Sequence, residues 1–269
     1  MVTWKITICY KGKNYVGWQK QDLPNTVQEQ IENSLRVLYD DPTITIEGSG
    51  RTDTGVHALA QTASFIVPEK FQPQVLCKAL NATINQDIRI LKAEIVEDEF
   101  HARFNTSGKT YVYMIYNDGH GSAMLQDNAW NVRQKLDDNA MQEAADALVG
   151  TQDFSSFVVH RDQNPGSAVR TIYRAEVIRQ GRCLLVAFTG SGFLYKMVRS
   201  LVGELVNVGV GRSKASEIKE KIAKKQRKFT AQTAPAHGLY LCEVYYTEDE
   251  LKQGLQTPLE DYQQRIFFQ

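Results

Sequence analysis

The sequence predicts an α+β chain built as two tandem β-α-β-β-α-β halves, and three observations carry that prediction. Segments alternating apolar and polar residues give way to segments of helical period, and they do so in the same order twice. Glycine, proline and aspartate clusters separate them. At 269 residues the chain is long for one domain and suits two.

In the first half, residues 2–10 place Trp4, Ile6, Ile8 and Tyr10 on one face, the mark of a half-buried strand. "TVQEQIENSLRVLYD" reads as a helix. Thr26 and Glu29 have capping-box spacing, and Val27, Ile31, Leu35 and Leu38 form its apolar stripe. "TITIE" (43–47) and "AQTASFIV" (60–67) read as strands. Pro73 opens a second helix carrying Val75, Leu76, Ala79 and Leu80, and "IRILKAEIV" (88–96) closes the unit. The second half repeats the order. "KTYVYMIYN" (109–117) is a strand, and "DDNAMQEAADALVG" is a helix behind an aspartate cap. "VRTIYRAEVIRQ" and "RCLLVAFTG" form a strand pair about Gly181. A helix from about Phe193 to Val208 and the strand "GLYLCEVYY" (238–246) complete it. Both halves thus have the ferredoxin-like arrangement with antiparallel sheets, and a central cleft between two such sheets is a favoured place for a binding site. The expected boundaries are 1–104, 105–247 and a C-terminal extension, 248–269, read as a small helix covering a surface.

Composition narrows the function. No apolar run has membrane-spanning length, and "MVTWKITICY" lacks the layout of a secretory signal. Cys9, Cys77, Cys183 and Cys242 are dispersed, which favours a reduced, cytoplasmic, metal-free protein with structural thiols. The 31 basic residues balance 31 acidic ones, which argues against a uniformly basic coat. One local exception is "SKASEIKEKIAKKQRKF" (213–229), with seven Lys/Arg and two Glu. It reads either as a solvated helix face or as a strip facing phosphates.

Three residues stand out. Asp53 lies in "GSGRTDTGVH" (48–57), a loop between strands where an aspartate commonly closes an Asx turn. The loop is a poor phosphate cradle. Asp53 occupies the third glycine position of a G-x-G-x-x-G match, and no P-loop lysine follows. Arg199 sits in a helix whose Val198, Leu201, Val202, Leu205 and Val208 read as buried, with Lys196 at i−3. It is either on a wet face or paired with a buried acid, which it would keep ionised. Tyr111 shares a strand face with Tyr113. Either its ring packs, or it stacks on a nucleobase, or its phenol moves a proton.

Taken together, "YKGKNYVGWQKQ", "TVQEQIENSL", "GSGRTDTGVHALAQTASF", "FHARFNTSGKTYVY", "GFLYKMVRSLVG" and "TAPAHGLYL" occur in order across residues 10–241. In this the sequence resembles the bacterial tRNA pseudouridine synthase A family, with "GRTDTGVHA" the most specific block. The resemblance implies conversion of uridine to pseudouridine at tRNA positions 38–40, in the anticodon stem-loop. It places the catalytic aspartate at Asp53, the tyrosine of the Y-x-Y strand at Tyr111 and the basic partner of the aspartate at Arg199. It also implies that Arg51, His57 and Arg103 meet the substrate, and the phosphate-facing reading of the basic strip adds Lys224, Lys225 and Lys228 to the RNA contacts. A homodimer without metal or organic cofactor is implied, each RNA touching both subunits. Ala60, Gln232 and Ala236 depart from the family pattern, none of them a proposed catalytic position.

Two rivals remain at this stage. A non-catalytic RNA-binding module of two ferredoxin-like halves would explain the basic strip, but it leaves Asp53 as a repulsive charge beside RNA. A glycosidase-like hydrolase using Asp53 and Glu47 needs a defined carboxylate spacing, which nothing in the sequence fixes.

Overall fold

A computed structural model describes residues 1–159 and 167–268. The chain divides into two compact units, Met1–Ser107 with Tyr240–Glu248, and Gly108–Leu239 with Asp249–Gln269. Among the described residues no helix is long and apolar enough to cross a membrane.

The first unit is organised on β1 (Val2–Tyr10), where Trp4, Ile6, Ile8 and Tyr10 are all buried as their alternation predicts. β3 (His57–Val67) and β4 (Ile88–Val96) flank it, both antiparallel, with Trp4 opposite Phe65 and Ile6 opposite Ala93. α1 (Val27–Tyr39) buries Val27, Ile31 and Leu35 completely. Thr26 Oγ1 accepts from the Glu29 N–H at 3.3 Å, as a capping residue should. The reciprocal bond is displaced by one residue, because the Glu29 carboxylate accepts from Asn25 N at 2.8 Å. α2 (Pro73–Thr83) packs through Leu76 and Leu80, whereas Val75, expected on that face, is exposed.

The expected strand 43–47 is mostly absent, and only Glu47–Gly48 (β2) pairs with β3. Side chains of α1 have taken its backbone groups. Arg36 Nε donates to Ile44 O at 2.9 Å, Gln28 Nε2 donates to Ile46 O at 3.0 Å, and Ile46 N donates to Glu32 Oε1 at 3.2 Å. Ile44 and Ile46 remain buried, so the alternation is real but the hydrogen bonds go to a helix. β10 (Leu239–Tyr245), which the sequence reads as the last strand of the second half, groups mainly with the first unit. There it runs parallel to β3, with Tyr240 opposite His57 and Leu241 opposite Ala58.

In the second unit β5 (Gly108–Tyr116), β9 (Cys183–Gly190), β8 (Val169–Gln180) and β7 (Gly150–Asp153) lie side by side in that order, all antiparallel. β6 (Trp130–Asn131) runs parallel to the end of β5. Gly181 turns β8 into β9 with φ +60°, a left-handed conformation that favours glycine. α3 (Asp138–Asp146) starts behind Asp137, whose carboxylate accepts from Ala140 N at 3.0 Å.

α4 (Met197–Gly209) begins four residues later than its apolar pattern suggests. Lys196 has φ 58°, a left-handed conformation that a right-handed helix cannot propagate, so it precedes the helix instead of lying inside it. α5 (Glu217–Ala223) is a short helix within the basic segment. The C-terminal extension forms two helices, α6 (Glu248–Gln256) and α7 (Leu259–Phe268). Leu259 and Tyr262 of α7 are buried, and Arg174 Nη1 of β8 donates to Thr257 O at 2.7 Å.

Candidate active site

The Asp53 loop is braced from below by the segment that follows β1. Tyr10 and Thr52 share a hydrogen bond of 2.8 Å between their hydroxyls. Trp18 N donates to Thr52 O at 3.1 Å, and Gly12 N donates to His57 Nδ1 at 3.1 Å. Two glycines in "YKGKNYVGW" make this approach possible. A Cβ on Gly12 would lie 1.9 Å from Val56 O, and one on Gly17 would lie 2.7 Å from Thr52 O. The tip is closed by the main chain, Val56 N donating to Asp53 O at 3.1 Å, with Gly55 at φ +80°. That is the position where a type II turn calls for glycine.

The loop's other limb is pinned by Gln61 of β3. Its buried amide accepts from Ser49 Oγ at 2.6 Å and donates to Gly50 O at 2.9 Å, while Ser49 N donates to Thr62 O at 2.7 Å. At Gly48 any side chain would strike the Trp18 indole, 2.3 Å from its Nε1. Gly48 and Gly55 thus serve packing and turn geometry, and the result is a fixed mount under a half-buried Asp53.

The remaining first-unit candidates differ in exposure. Arg51 is exposed and donates to Gln19 Oε1 at 2.8 Å. His57 is 2% exposed, stacked on Tyr240 with ring centroids 4.8 Å apart. Because its Nδ1 accepts from Gly12, the neutral ring carries its proton on Nε2. Arg103 is exposed, with its guanidinium 5.6 Å from the Phe104 ring, and that ring lies 4.3 Å from His101. Phe104 is 73% exposed, a large aromatic face in water.

Tyr111 and Arg199 belong to the second unit. Tyr111 is paired opposite Phe188 in β5 and β9, and the Phe193 ring stands edge-on to it at 5.3 Å. Arg199 is half-buried on a largely apolar helix that also holds Glu204. Its Nε donates to Ala234 O at 2.8 Å while Ala234 N donates to Arg199 O at 3.0 Å, a reciprocal pair that ties both the guanidinium and the backbone of Arg199 to residue 234. The "TAPAHGLYL" block is held further by Tyr113, which donates to Pro235 O at 2.8 Å. Nearby, burial lowers the pKa of His237, which favours its neutral form.

Several charges of the basic strip are already engaged. Lys221 is spent on the buried Glu204 carboxylate at 2.6 Å. Lys225 pairs with Asp153 at 2.8 Å, and Lys224 pairs with Glu220 at 2.7 Å. The Lys225 ammonium and the Ser155 hydroxyl together draw the Asp153 carboxyl down to about 2. Lys224 and Lys228 also lie over the Phe229 ring, at 4.8 and 5.0 Å. Sequence reasoning overlooked Gln61, Thr52 and Glu204. Glu204 carried the same signal as Arg199, a charge in an apolar helix. The first two had no signal beyond their place in the matched blocks.

The chain is thus of the α+β class, with a carboxylate on a braced loop in its first unit and a cation tied onto a buried helix in its second. The chain belongs to the tRNA pseudouridine synthase family, whose sequence model matches residues 6–105 and 144–247. It is 42% identical over 242 residues to tRNA pseudouridine synthase A of Acetivibrio thermocellus, covering 90% of this chain and 98% of that protein. The corresponding protein of Bacillus subtilis is 40% identical over 243 residues, with the same coverages. That of Francisella tularensis subsp. novicida is 37% identical over 255 residues, 95% of this chain and 98% of that one. A solved Cbf5–Nop10–Gar1 complex aligns with TM-score 0.38 and 13% identity over 91% of this chain and 50% of that chain, too weak a likeness to bear on the fold.

Proposed function

We propose that this chain isomerises uridine to pseudouridine in tRNA, at positions 38–40 of the anticodon stem-loop, with Asp53 as the catalytic nucleophile or base. The observation that carries this reading is the family match at about 40% identity across nearly the whole chain, together with an aspartate on a loop braced by buried hydrogen bonds. Preorganisation of that kind is what positioning a reacting group requires.

The reaction breaks the C1′–N1 bond, turns the uracil, joins C1′ to C5 and moves a proton from C5, with no net oxidation. A carboxylate beside C1′ and the uracil edge serves as nucleophile or base only while ionised, and Arg199 is assigned the compensating charge. Tyr111 is assigned to the uracil, stacking on it or moving a proton. The target uridine has to leave its stack before any side chain reaches C1′, at a cost of a few kcal/mol.

Arg51, Arg103, Lys224, Lys225 and Lys228 are assigned to the RNA. Phe104, beside Arg103 and His101, offers a stacking face worth about 1–3 kcal/mol per base. His57, expected to meet the substrate, is 2% exposed and bonded to Gly12 N, and it is assigned instead to bracing the loop. We further read the chain as two ferredoxin-like halves, with boundaries at 1–104, 105–247 and 248–269, acting as a cytoplasmic homodimer. The sheet order β4-β1-β3-β2 and its β5-β9-β8 counterpart support the halves.

Incubating the purified protein with unmodified tRNA and mapping pseudouridine tests the function. Modification at 38–40 is expected. Pseudouridine only at other positions would overturn the site assignment, and none at all would overturn the activity.

A further inference from the structure

Among the described residues, Glu204 is a buried charge to which the proposed chemistry gives no task. Glu204, in α4, is 1% exposed among apolar neighbours. A buried carboxylate is costly unless it is paired and hydrogen-bonded, and here both conditions are met. One oxygen accepts from Lys221 Nζ at 2.6 Å and Ser213 Oγ at 3.2 Å. The other accepts from the backbone N–H of Ala231 at 2.8 Å.

That second bond is the first rung of a ladder. Residues 231–234 run along α4 and touch it at each step. Ala231 meets Glu204, and Gln232 O sits where a Cβ of Gly203 would be 2.0 Å away. Thr233 meets Ser200 at 3.4 Å between hydroxyls, and Ala234 bonds Arg199 reciprocally. Arg227 clasps the same segment from its other side, donating to Ala231 O at 2.6 Å and Thr233 Oγ1 at 3.0 Å. The carbonyl orienting the Arg199 guanidinium is therefore the far end of a segment whose near end hangs on Glu204.

We infer that Glu204 is a positioning residue for Arg199: its carboxylate, held by Lys221, anchors residues 231–234 on α4 and so fixes the Ala234 carbonyl that orients the guanidinium. Glu204 can act this way only if Arg199 serves the reaction as proposed above. Lys221 is correspondingly removed from the RNA-facing cations, since its side chain is 15% exposed and spent on Glu204.

The test uses the full-length protein and single-turnover rates on unmodified tRNA, with circular-dichroism melts confirming the fold of each variant. Replacing Glu204 alone would take the buried partner from Lys221 and leave its ammonium to Glu217 at 3.4 Å, so both variants carry Lys221→Met. Glu204→Leu/Lys221→Met removes the acceptor for Ala231 N and is expected to slow the chemical step roughly 10- to 100-fold, the scale of a misplaced catalytic group. Its tRNA Kd should stay within about twofold, since the change lies off the proposed RNA contacts. Glu204→Gln/Lys221→Met restores a neutral acceptor and should recover most of the rate, which a need for negative charge alone would not allow.

A double-mutant cycle with Arg199→Lys completes the test. A residue acting through Arg199 adds little further loss once Arg199 is changed, so the combined effect should be clearly non-additive. A folded Leu/Met variant with wild-type rate, or strict additivity with Arg199→Lys, would overturn the assignment. Full activity of Arg199→Leu, which removes the charge altogether, would instead remove the role of Arg199, and this inference with it, a failure visible before any change at Glu204.

Discussion

The Asp53 loop and the basic strip are both polar surface segments, yet the chain treats them in opposite ways. The loop is joined to its surroundings by buried, directional bonds: Tyr10 to Thr52, Gly12 to His57, Trp18 to Thr52, and Gln61 to Ser49 and Gly50. Little of it can move without breaking several of them. The strip is a short helix and a turn in which Lys221, Lys224 and Lys225 are answered by nearby carboxylates. Apart from the buried Lys221–Glu204 pair these are exposed pairs, which contribute about 0–1 kcal/mol each and hold no single geometry. The difference matches the roles proposed for them, one segment aiming a single group and the other presenting charge.

Changes at the rigidly held positions should cost most. For Arg199→Leu a loss of roughly 100- to 1000-fold in single-turnover rate is expected, the scale of removing one preorganised electrostatic contact. The salt dependence of tRNA binding should hardly change, and if it flattens instead, Arg199 is a phosphate contact. Gly12→Ala forces a Cβ into Val56 O and must displace the loop. A rate loss of roughly 10- to 100-fold is expected, with about 1–3 kcal/mol of stability lost in urea unfolding. A variant equally stable and active would show that the loop tolerates movement.

The strip should answer more gently. Lys228→Ala is expected to lower the salt slope of tRNA binding by close to the ~0.7–0.9 of one phosphate contact. Lys225→Ala, whose ammonium already faces Asp153 at 2.8 Å, should lower it less. Equal slopes would mean that the ion pair opens freely to RNA.

The smallest effect is a pH dependence. Because Asp153 is drawn from 3.8 to about 2 by Lys225 and Ser155, it contributes stability above its unfolded value and loses it as pH falls from 4 toward 2. Wild type and Asp153→Asn should therefore differ in denaturant midpoint at pH 6 and converge near pH 2. A difference that persisted to pH 2 would assign the effect to packing.

What the sequence revealed divides along the same line. Periodicity located nearly every element, since burial follows side-chain alternation directly: β4 at 88–96 and β8 at 169–180 fall where their patterns end. It misjudged 43–47, where α1 side chains outcompete a strand partner for Ile44 and Ile46. It placed the start of α4 too early because a left-handed Lys196 leaves no trace in an apolar pattern. Asp53 and Arg199 became candidates through their blocks of neighbouring residues. Their supports, Gln61 and Glu204, did not, because a buried amide or carboxylate has meaning only once its distant partner is known.

The braced carboxylate of Asp53 is the group proposed to carry out the isomerisation. Asp53→Asn keeps the size of the side chain and all of the loop's backbone bonds, so fold and tRNA affinity should persist. Single-turnover incubation of this variant with unmodified tRNA, followed by pseudouridine mapping, tests the claim most directly. No pseudouridine above background is predicted, whereas turnover at the wild-type rate would contradict the assignment.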